Sequence, residues 1–593
     1  MTSKVLRNDR VASRTILAVT TFALLAVVAP GDSLAQAFRW AKPVGGTLDD
    51  FGYAIAVDGS GNVYTTGSFR GTVDFDPGPG THNLTSMGQV ELGGDVFVSK
   101  LDSAGNFVWA KQIGGAFDDN PWFIAVDGSG NVYTTGYFQG TADFDPGPGS
   151  SNLTSMGEGD VFVSKLNSAG NFVWARRVGG PFDDAGFAVA VDGSGNVYTS
   201  GSFQDTVDFD PGLGTSNLTS AGDADVFVVK LNSAGIFVWA KQMGGALADS
   251  ATAIALDGSG NVYTTGYFQD TADFDPGLGT YDLTSFAAPP YSNNVFVSKL
   301  DSAGNFVWAK QMGGAADAAG YFIAVDGVGN AYTTGYFQGS ADFDPGLGTY
   351  NLASVGEGDV FVSKLDSVGN FDWAKRMGGP LDESAIGIAV DGGGNVYTTG
   401  YFKGSADFDP GPAAYNLTSS GLDDVFISKL DTSGAFVWAR RMGGPLDDVG
   451  YIIAVDGFGN IHTTGSFQGT ADFDPGPGNS NLTSAGGADV FVSKLEQLPR
   501  LGFTDKNTIA WSPLFGEAEY NIYRSSSGRP GTFACFMSHE PDQSATDLAT
   551  PSPGFLYAYL VTSVNAAGVE GSMGFAAVNG TPTTERPNTS PCP

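Results

Sequence analysis

Asp74-Phe75-Asp76-Pro77-Gly78 is the stretch that sets the architecture of this chain, because the same five residues recur seven times. The copies begin at Asp74, Asp143, Asp208, Asp273, Asp342, Asp407 and Asp472. A tryptophan keeps the same intervals, at Trp40, Trp109, Trp174, Trp239, Trp308, Trp373 and Trp438. The repeated unit is therefore a whole supersecondary module, and the period predicts a repeat architecture.

Each repeat contains two β-hairpin patterns. In one unit the β-rich runs 123–126 and 131–136 are joined by Asp127-Gly128-Ser129-Gly130, which suits a tight turn. The runs 161–166 and 172–175 flank a second Gly-containing turn. Each unit is therefore predicted to be a four-stranded antiparallel sheet, and seven such sheets predict a β-propeller.

The two ends of the array predict a closed ring. The array opens with a single Trp-bearing strand at 38–42 and ends with a strand at 490–495 that has no partner after it. Within the internal units these two strands form one hairpin, so pairing the ends completes the seventh sheet. The predicted fold is all-β, a seven-bladed β-propeller of four-stranded blades closed by the N-terminal strand, followed by a small β-sandwich.

The repeat sequence resembles a known family. The pattern Ile-Ala-Val-Asp-x-x-Gly-Asn-Val-Tyr-x-Thr-Gly, followed by Asp-x-Phe-Val-x-Lys-Leu-x-x-x-Gly, resembles the bacterial seven-bladed β-propeller (SBBP) repeat family over residues 38–495. The resemblance implies an exported propeller without a single assigned activity. The long Asp-Phe-Asp-Pro-Gly insert departs from the family pattern.

Residues 1–37 have the pattern of a signal peptide. Basic residues precede an apolar run at 16–29, and Ala35-Gln36-Ala37 has the form of a signal-peptidase site. Cleavage near Ala37 predicts a secreted or cell-surface protein, with the periplasm as a further destination. An uncleaved membrane anchor is the alternative, although the run is shorter than the roughly 20 residues that span a bilayer. No span is predicted in the mature chain.

Residues 496–593 have a different composition and resemble a fibronectin type III β-sandwich with an extended tail. Alternating strand patterns occur at 520–524 and 557–565, and Tyr557 lies eight residues before Asn565, as in the corner strand of that family. The resemblance implies a spacer or adhesion module. The only cysteines, Cys535 and Cys592, lie in this region, and their pairing is left open.

The charge of the chain excludes some partners. The formal net charge is −34, and without residues 1–37 the chain keeps 25 basic and 61 acidic residues, a net charge of −36. Such a surface repels phosphate backbones and anionic membranes, so no nucleic acid is expected as a partner. Cations, basic proteins and neutral glycans fit better.

The acidic residues concentrate at one end of the predicted ring. Successive strands of a blade run antiparallel, so the insert and the Gly-Gly-x-x-Asp-Asp segment between blades share one end. The segment supplies Asp49, Asp50, Asp118, Asp119, Asp183, Asp184, Asp249, Asp317, Asp382, Glu383, Asp447 and Asp448. Together with the 14 aspartates of the insert, these residues predict an acidic rim that binds a protein or glycan ligand.

The aspartates of the insert have two interpretations. Alternating carboxylates before a glycine resemble half of a calcium loop, with calcium ligands at Asp74, Asp76, Asp143, Asp145, Asp208, Asp210, Asp273, Asp275, Asp342, Asp344, Asp407, Asp409, Asp472 and Asp474. The other interpretation is a β-turn at Asp76-Pro77-Gly78, in which Asp74 caps nearby amides and Phe75 enters the core. The missing third carboxylate favours the turn.

Other repeated positions are predicted to be structural. The lysine of Val-Ser-Lys-Leu, as at Lys100, is expected to form an ion pair with a nearby aspartate, and the tryptophans are expected to pack outer strands. Two longer loops, 89–94 and 286–294, are candidates for partner contact.

No catalytic constellation rises above the repeat. The three histidines, His82, His462 and His539, lie in different units, which speaks against a zinc site or a catalytic triad. His462 stands where sister units have tyrosine and is expected to be a core substitution. The sequence favours an exported, non-enzymatic binding or scaffold protein. The alternative is a carbohydrate-active enzyme, a glycoside hydrolase or lyase that uses rim carboxylates.

Overall fold

The computed structural model describes residues 36–88, 93–286 and 293–497, and beyond them the backbone of seven strands between 501 and 573. The signal-peptide prediction falls on residues of which all but the last two lie outside this range. Most of the two longer loops, and the side chains of Cys535, His539 and Cys592, also lie outside it.

The repeats form seven antiparallel blades, and we call the four strands of each blade A to D from the innermost outwards. In blades 1, 3 and 4 the insert of the next blade adds two short strands beyond strand D, so these sheets have six strands. The A strands are Phe51–Val57, Asp119–Val126, Ala185–Val191, Ser250–Leu256, Ala318–Val325, Glu383–Val390 and Asp448–Val455. The B strands are Val63–Phe69, Val132–Phe138, Val197–Asp208, Val262–Phe268, Ala331–Phe337, Val396–Asp407 and Ile461–Asp472.

The outer strands follow in the same order. The C strands are Asp95–Leu101, Asp160–Leu166, Asn217–Leu231, Asn294–Leu300, Asp359–Leu365, Asn416–Leu430 and Asn481–Gln497. The D strands of blades 1 to 6 are Phe107–Gly115, Phe172–Val178, Phe237–Gly245, Phe306–Gly314, Phe371–Met377 and Phe436–Met442. Strand D of blade 7 is the N-terminal strand, Gln36–Val44.

The ring is closed, as the sequence predicts. Each A strand contacts the A strands of both neighbouring blades, and this chain of contacts returns from blade 7 to blade 1. The N-terminal strand pairs antiparallel with strand C of blade 7, from Gln36 opposite Gln497 to Val44 opposite Val490. The closing strand therefore contributes a full set of ladder hydrogen bonds to the last blade.

The insert packs into the core through its phenylalanine. Phe75 is buried between Phe69 of strand B and Phe97 of strand C, at ring-centroid distances of 5.3 and 5.0 Å. The same three-ring arrangement recurs in the other blades. The alternation of Asp-Phe-Asp thus sends the ring inwards and the carboxylates outwards.

The insert also joins neighbouring blades. Its first aspartate pairs with the first residue of the Gly-Gly dipeptide at the end of strand D of the preceding blade, as Asp143 does with Gly114. Equivalent backbone pairs occur at all seven junctions. A Cβ atom on the second glycine, Gly115, would overlap the carbonyl oxygen of Thr141. The Gly-Gly dipeptide is therefore required for the close approach of two backbones.

The tryptophans form a second link between blades at the opposite end. The indole Nε1 of Trp109, on strand D of blade 1, donates a hydrogen bond to the carbonyl oxygen of Ser168 in the turn of blade 2, at 3.3 Å. Gly170 in that turn has a φ of +75° and lies against the indole ring, so a larger residue would be both strained and obstructed. The predicted packing role of the tryptophans is confirmed, because Trp109 is 9% exposed.

The C-terminal region contains two antiparallel sheets. Leu501–Phe503, Thr508–Trp511 and Ser544–Thr546 form a three-stranded sheet in that order. Ala534–Glu540, Glu519–Ser525, Ala558–Val564 and Glu570–Met573 form a four-stranded sheet in that order.

Across the described residues, we find no helix whose length and apolar character would let it traverse a lipid bilayer.

Candidate functional site at the mouth of the central channel

The seven repeats share their scaffold residues, and they differ at the start of strand A as well as in some loops. The tryptophan of strand D is present in all seven units, and the aromatic position of strand B is tyrosine in six of them. By contrast, the third residue after the Asp-Asp of the Gly-Gly-x-x-Asp-Asp segment varies. It is Tyr53, Trp122, Phe187, Thr252, Tyr321, Ile386 and Tyr451 in the seven blades. These residues lie on the innermost strands, where the ring surrounds its axis. The variation therefore concentrates at one mouth of the central channel.

Four of these side chains form a continuous aromatic arc, which we define as Tyr451, Tyr53, Trp122 and Phe187. They lie on blades 7, 1, 2 and 3, and all four are partly buried. Ring centroids are 5.7 Å apart for Tyr451 and Tyr53, 5.1 Å for Tyr53 and Trp122, and 6.0 Å for Trp122 and Phe187. Neighbouring rings are inclined by 45° to 55°, so the arc is curved rather than flat.

One residue further along strand A, two phenylalanines meet across the axis. Phe123 of blade 2 and Phe322 of blade 5 have ring centroids 5.3 Å apart, although their blades are not neighbours. Sister blades mostly have alanine or glycine here, as at Ala54 and Gly387. The two rings give the aromatic arc a floor.

Pairs of a tyrosine hydroxyl and a carboxylate lie around the channel mouth, on the arc side in blade 2 and on the opposite side in blades 5 and 6. Tyr137 donates a hydrogen bond of 2.6 Å to Asp118 Oδ2, which also accepts one from Asn120. Tyr336 pairs with Asp317 in the same way, and Tyr401 with Asp382. The first acid of the segment between blades therefore lies beside the mouth.

The second acid of each segment is buried, which corrects the predicted acidic rim. Asp50, Asp119, Asp184, Asp249, Glu383 and Asp448 are at most 1% exposed. Burial raises the pKa of Asp119 to about 8 and that of the other five to about 7. A large share of these six groups is therefore protonated at neutral pH, and the rim carries less negative charge than a count of its acids predicts.

Each of these acids faces the aspartate that directly precedes the Val-Phe dipeptide of strand C in the preceding blade. The six junction acid pairs are Asp489 with Asp50, Asp95 with Asp119, Asp160 with Asp184, Asp225 with Asp249, Asp359 with Glu383, and Asp424 with Asp448.

The first pair along the chain shows how these carboxyl groups meet. A Cβ atom on Gly114 would lie 2.9 Å from Asp95 Oδ1 and 3.0 Å from Asp119 Oδ2, so both groups converge on one glycine. Asp95 Oδ2 accepts hydrogen bonds from the amide of Met87 and from Gln112. Asp95 Oδ1 is buried without a hydrogen-bond partner among the described residues. A proton shared by the pair would satisfy that oxygen and lower the cost of burying two like charges.

The junction between blades 4 and 5 lacks both acids. Asn294 begins strand C there, and Ala318 takes the place of the second acid. Asn294 Oδ1 accepts hydrogen bonds from the Phe286 amide and from Gln311, as the aspartates do, while its Nδ2 donates to the carbonyl oxygen of Gly314. Since both members are replaced at the same junction, the two positions act as one unit.

The aspartates of the insert cap their own loop. Asp74 Oδ1 accepts hydrogen bonds from the amides of Asp76, at 3.1 Å, and His82, at 2.8 Å. Asp76 Oδ1 accepts one from the Gly78 amide at 2.8 Å. The same three bonds occur in all seven copies. Among the described residues, no group of three or more acidic, histidine or cysteine side chains is placed to hold a metal ion. This geometry favours the turn interpretation.

The repeated lysines differ from their prediction. An ion pair with aspartate is formed by Lys299, whose partner is Asp257 at 3.8 Å, and by Lys364, whose partner is Asp372 at 2.8 Å. The feature shared by the first six lysines is a tyrosine ring, with Nζ of Lys100 4.7 Å from the centroid of Tyr64. Strand register explains this, because Lys100 lies opposite Tyr64 in the sheet.

His462 is a core residue, as predicted. It is fully buried, and its Nε2 lies 3.2 Å from Asp456 Oδ2, where the sister tyrosines also meet an aspartate. Burial, with Lys494 nearby, lowers the pKa of His462 below its usual value. The histidine is therefore neutral in the folded protein at neutral pH.

Replacing His462 with tyrosine should protect the protein against acid. Since the pKa of His462 is lowered by folding, the unfolded chain binds the extra proton first, and stability falls as pH drops below about 6.5. The variant should lack this loss, which amounts to about 1.4 kcal/mol per pH unit until the folded pKa is reached. Urea unfolding at pH 5 and pH 8 measures it. An equal advantage of the variant at both pH values would contradict the assignment.

Two features of the site escaped sequence reasoning. The aspartate that precedes the Val-Phe dipeptide of strand C is visible in the repeat sequence, but its burial against the next blade is not. The aromatic arc could have been found by comparing the seven repeats column by column, because its position holds five residue types among the seven copies.

The fold and the site define a class: a seven-bladed β-propeller repeat protein whose blades share one scaffold and differ at a channel mouth. The family model described as SBBP, beta-propeller repeat, matches residues 39–68, 108–140, 173–202, 238–267 and 437–469. The chain is 25% identical over 439 residues to the uncharacterized WD repeat-containing protein L264 of Acanthamoeba polyphaga mimivirus, covering 61% of this chain and 31% of that protein. It is 24% identical over 413 residues to the regulatory protein FlaEY of Caulobacter vibrioides, covering 67% and 41%.

The chain therefore spans less than half of the length of either curated relative. Among solved structures, a protein of unknown function from Bacteroides caccae aligns with 58% of this chain and 89% of its own, at 7% identity and a TM-score of 0.27.

Proposed function

We propose that this protein is an exported, non-enzymatic binding protein whose ligand site is the channel mouth formed by the aromatic arc. The observation that carries the proposal is the contrast between constant scaffold positions and the variable third residue after the acids of the segment between blades. Constant residues make the links between blades, as Trp109 does, whereas the variable ones line the mouth. In near-identical repeats, the place where side chains differ is the place that can recognise an asymmetric partner.

The proposal places the ligand further inward than the sequence suggested. The insert aspartates use Oδ1 to cap their own loop, and the second acids are buried, so both sets already have structural roles. The first acids, such as Asp118 and Asp382, flank the mouth and contribute its negative charge. A protein or a glycan remains the class of ligand that this surface fits.

Export and the C-terminal domain complete the proposal. Export rests on the basic and apolar pattern of residues 1–37. The C-terminal strands form sheets of three and four strands, a two-sheet arrangement that a fibronectin type III sandwich also uses. We propose that this region is a spacer that presents the propeller to its partner.

Calcium binding by the insert is tested by chelation. Because each carboxylate already caps backbone amides, we expect that excess EGTA leaves the melting temperature of the propeller unchanged within about 1 °C. The measurement is differential scanning calorimetry with and without EGTA, together with mass spectrometry for bound metal. A fall of several degrees that added calcium reverses would restore the calcium interpretation.

The alternative function is a carbohydrate-active enzyme that uses the first acids around the mouth. Binding and turnover can be separated by testing the purified protein on glycan and protein arrays and by assaying polysaccharides for released reducing ends. Binding that Trp122→Ala removes, without turnover, supports the proposal. Turnover that Asp118→Asn or Asp382→Asn abolishes would replace it with the enzyme. No binding and no turnover would contradict both.

A further inference from the structure

The rings of the aromatic arc are inclined to one another, and we call the space that they border the cup. Tyr451, Tyr53 and Trp122 contact one another in sequence at centroid distances of 5.1 to 5.7 Å, and their planes are inclined by 45° and 55°. A flat row of coplanar rings would offer a platform for a chain of sugars, whereas inclined rings enclose a compact group from several sides. The curvature of the arc therefore favours a small, rounded ligand moiety over an extended one.

The wall opposite the arc consists of Thr252, Tyr321 and Ile386. Thr252 of blade 4 donates its hydroxyl to the carbonyl oxygens of Gly320 and Thr265, at 2.8 and 3.2 Å, so this hydroxyl is already engaged. Ile386 of blade 6 is aliphatic. The floor is closed by Phe123 and Phe322. A ligand group in the cup would therefore meet aromatic and aliphatic surface almost everywhere.

The charge around the cup is predominantly negative. Asp118 lies close enough to Tyr53 to raise the pKa of its hydroxyl, whose burial is the larger cause, and Arg70 is the cationic side chain that acts on the same tyrosine in the opposite sense. On the far side, Asp317 and Asp382 act together on Tyr321. The chain as a whole has a net charge of −34. A cation approaching this mouth is attracted by the field before it reaches the rings.

Aromatic faces carry partial negative charge, and a cup of inclined rings is a recognised means of holding a weakly hydrated cation. We propose that the aromatic arc binds an organic ammonium group, such as a methylated or quaternary amine at the end of a flexible chain. The inference rests on the proposed function, because it names the chemistry of the ligand that the channel mouth receives. The rings supply cation–π contacts, and Asp118 supplies the counter-charge.

The test is a titration of the mature protein with choline and with trimethyllysine amide. Binding is measured by calorimetry and by the change in tryptophan fluorescence, to which Trp122 contributes. The neutral isostere 3,3-dimethylbutan-1-ol, which has the shape of choline without its charge, is the ligand control. We expect both ammonium compounds to bind at least tenfold more tightly than the isostere. Comparing the affinities for choline and for trimethyllysine amide then distinguishes a choline head group from a methylated lysine of a protein as the source of the ammonium group.

Matched variants place the binding. Trp122→Ala should weaken ammonium binding at least tenfold, while Val173→Ala, at an exposed position on strand D of the same blade, should leave it within about twofold. Circular dichroism melts of both variants show that the ring is intact. Equal affinity for choline and its isostere, or the same loss in both variants, would overturn the inference. Glycan binding that Trp122→Ala removes, with no ammonium binding, would overturn the inference while leaving the proposed function standing.

Discussion

Asp95→Asn should make the propeller more stable at pH 8 and leave its stability at pH 5 almost unchanged. Asp95 and Asp119 form a junction acid pair with one buried, unpartnered oxygen, and burial raises the pKa of Asp119 to about 8. At pH 8 two nearby buried negative charges destabilise the folded protein. Replacing Asp95 with the neutral asparagine removes one of them. Asn294 shows that an asparagine at this position keeps both acceptor contacts.

The sign of the effect follows from the raised pKa. The unfolded aspartate loses its proton near pH 4, whereas the folded pair keeps one until about pH 8, so stability falls as pH rises between these values. Removing one acid should add on the order of 1 to 3 kcal/mol at pH 8 and less than about 0.5 kcal/mol at pH 5. Urea unfolding across this range measures the difference.

Asp102→Asn is the matched control. Asp102 caps the turn between strands C and D of the same blade, and Asn167 caps the equivalent turn of blade 2 with the same bonds. Because folding lowers the pKa of Asp102, the stability that this group contributes is fully present at both pH 5 and pH 8, so the variant should change stability by the same small amount at both pH values. If Asp95→Asn shows the same pH dependence as the wild type, the junction pair does not hold a proton.

Deleting residues 36–44 should destabilise the ring more than any single substitution in it. The deletion removes strand D of blade 7, which includes the buried residues Trp40 and Val44 and its backbone ladder with strand C. Loss of one buried tryptophan alone costs about 3 to 5 kcal/mol, so the deletion should cost at least about 5 kcal/mol. The unpaired edge of strand C, Asn481–Gln497, should also promote association between molecules.

Thermal melts and light scattering after size-exclusion chromatography measure both effects. A synthetic peptide of residues 36–46 should restore the melting temperature when it is added in excess, and a peptide of scrambled sequence should not. A truncated protein that stays monomeric with an unchanged melting temperature would show that this strand does not close the ring.

The fold was predictable because its determinants are local and repeated. The tryptophan and the Asp-Phe-Asp-Pro-Gly insert count the blades, and the orphan strands at 38–42 and 490–495 define the closure. Phe75 enters the core as the alternation of the insert requires. Each of these inferences needs information from one repeat or from its immediate neighbour.

The chemistry of the rim was less predictable because it depends on contacts between blades. The sequence marks Asp119 as an acid of a surface segment, but Asp95 and the glycines of the junction bury it. Lys100 was expected to form an ion pair with an aspartate, but strand register places it against the ring of Tyr64. In both cases the deciding neighbour lies on another strand, where a linear pattern does not reveal it.

The aromatic arc is the extreme example of a site assembled by the ring. Tyr451 and Tyr53 come from blades 7 and 1, far apart along the chain, and become neighbours because the N-terminal strand closes the circle. Within one strand, each of them looks like an ordinary alternating aromatic residue. Only the variation among the seven repeats marks the position as different from the scaffold.

The most direct test of the account compares the channel mouth with the insert loop in one blade. Trp122→Ala changes the arc, and Asp145→Asn changes the insert, which accepts a hydrogen bond within its own turn. For the ligand that the array screen or the ammonium titration identifies, we predict at least tenfold weaker binding to the first variant and a change within about twofold for the second. The reverse order, with binding lost in Asp145→Asn and retained in Trp122→Ala, would contradict the assignment of function to the channel mouth.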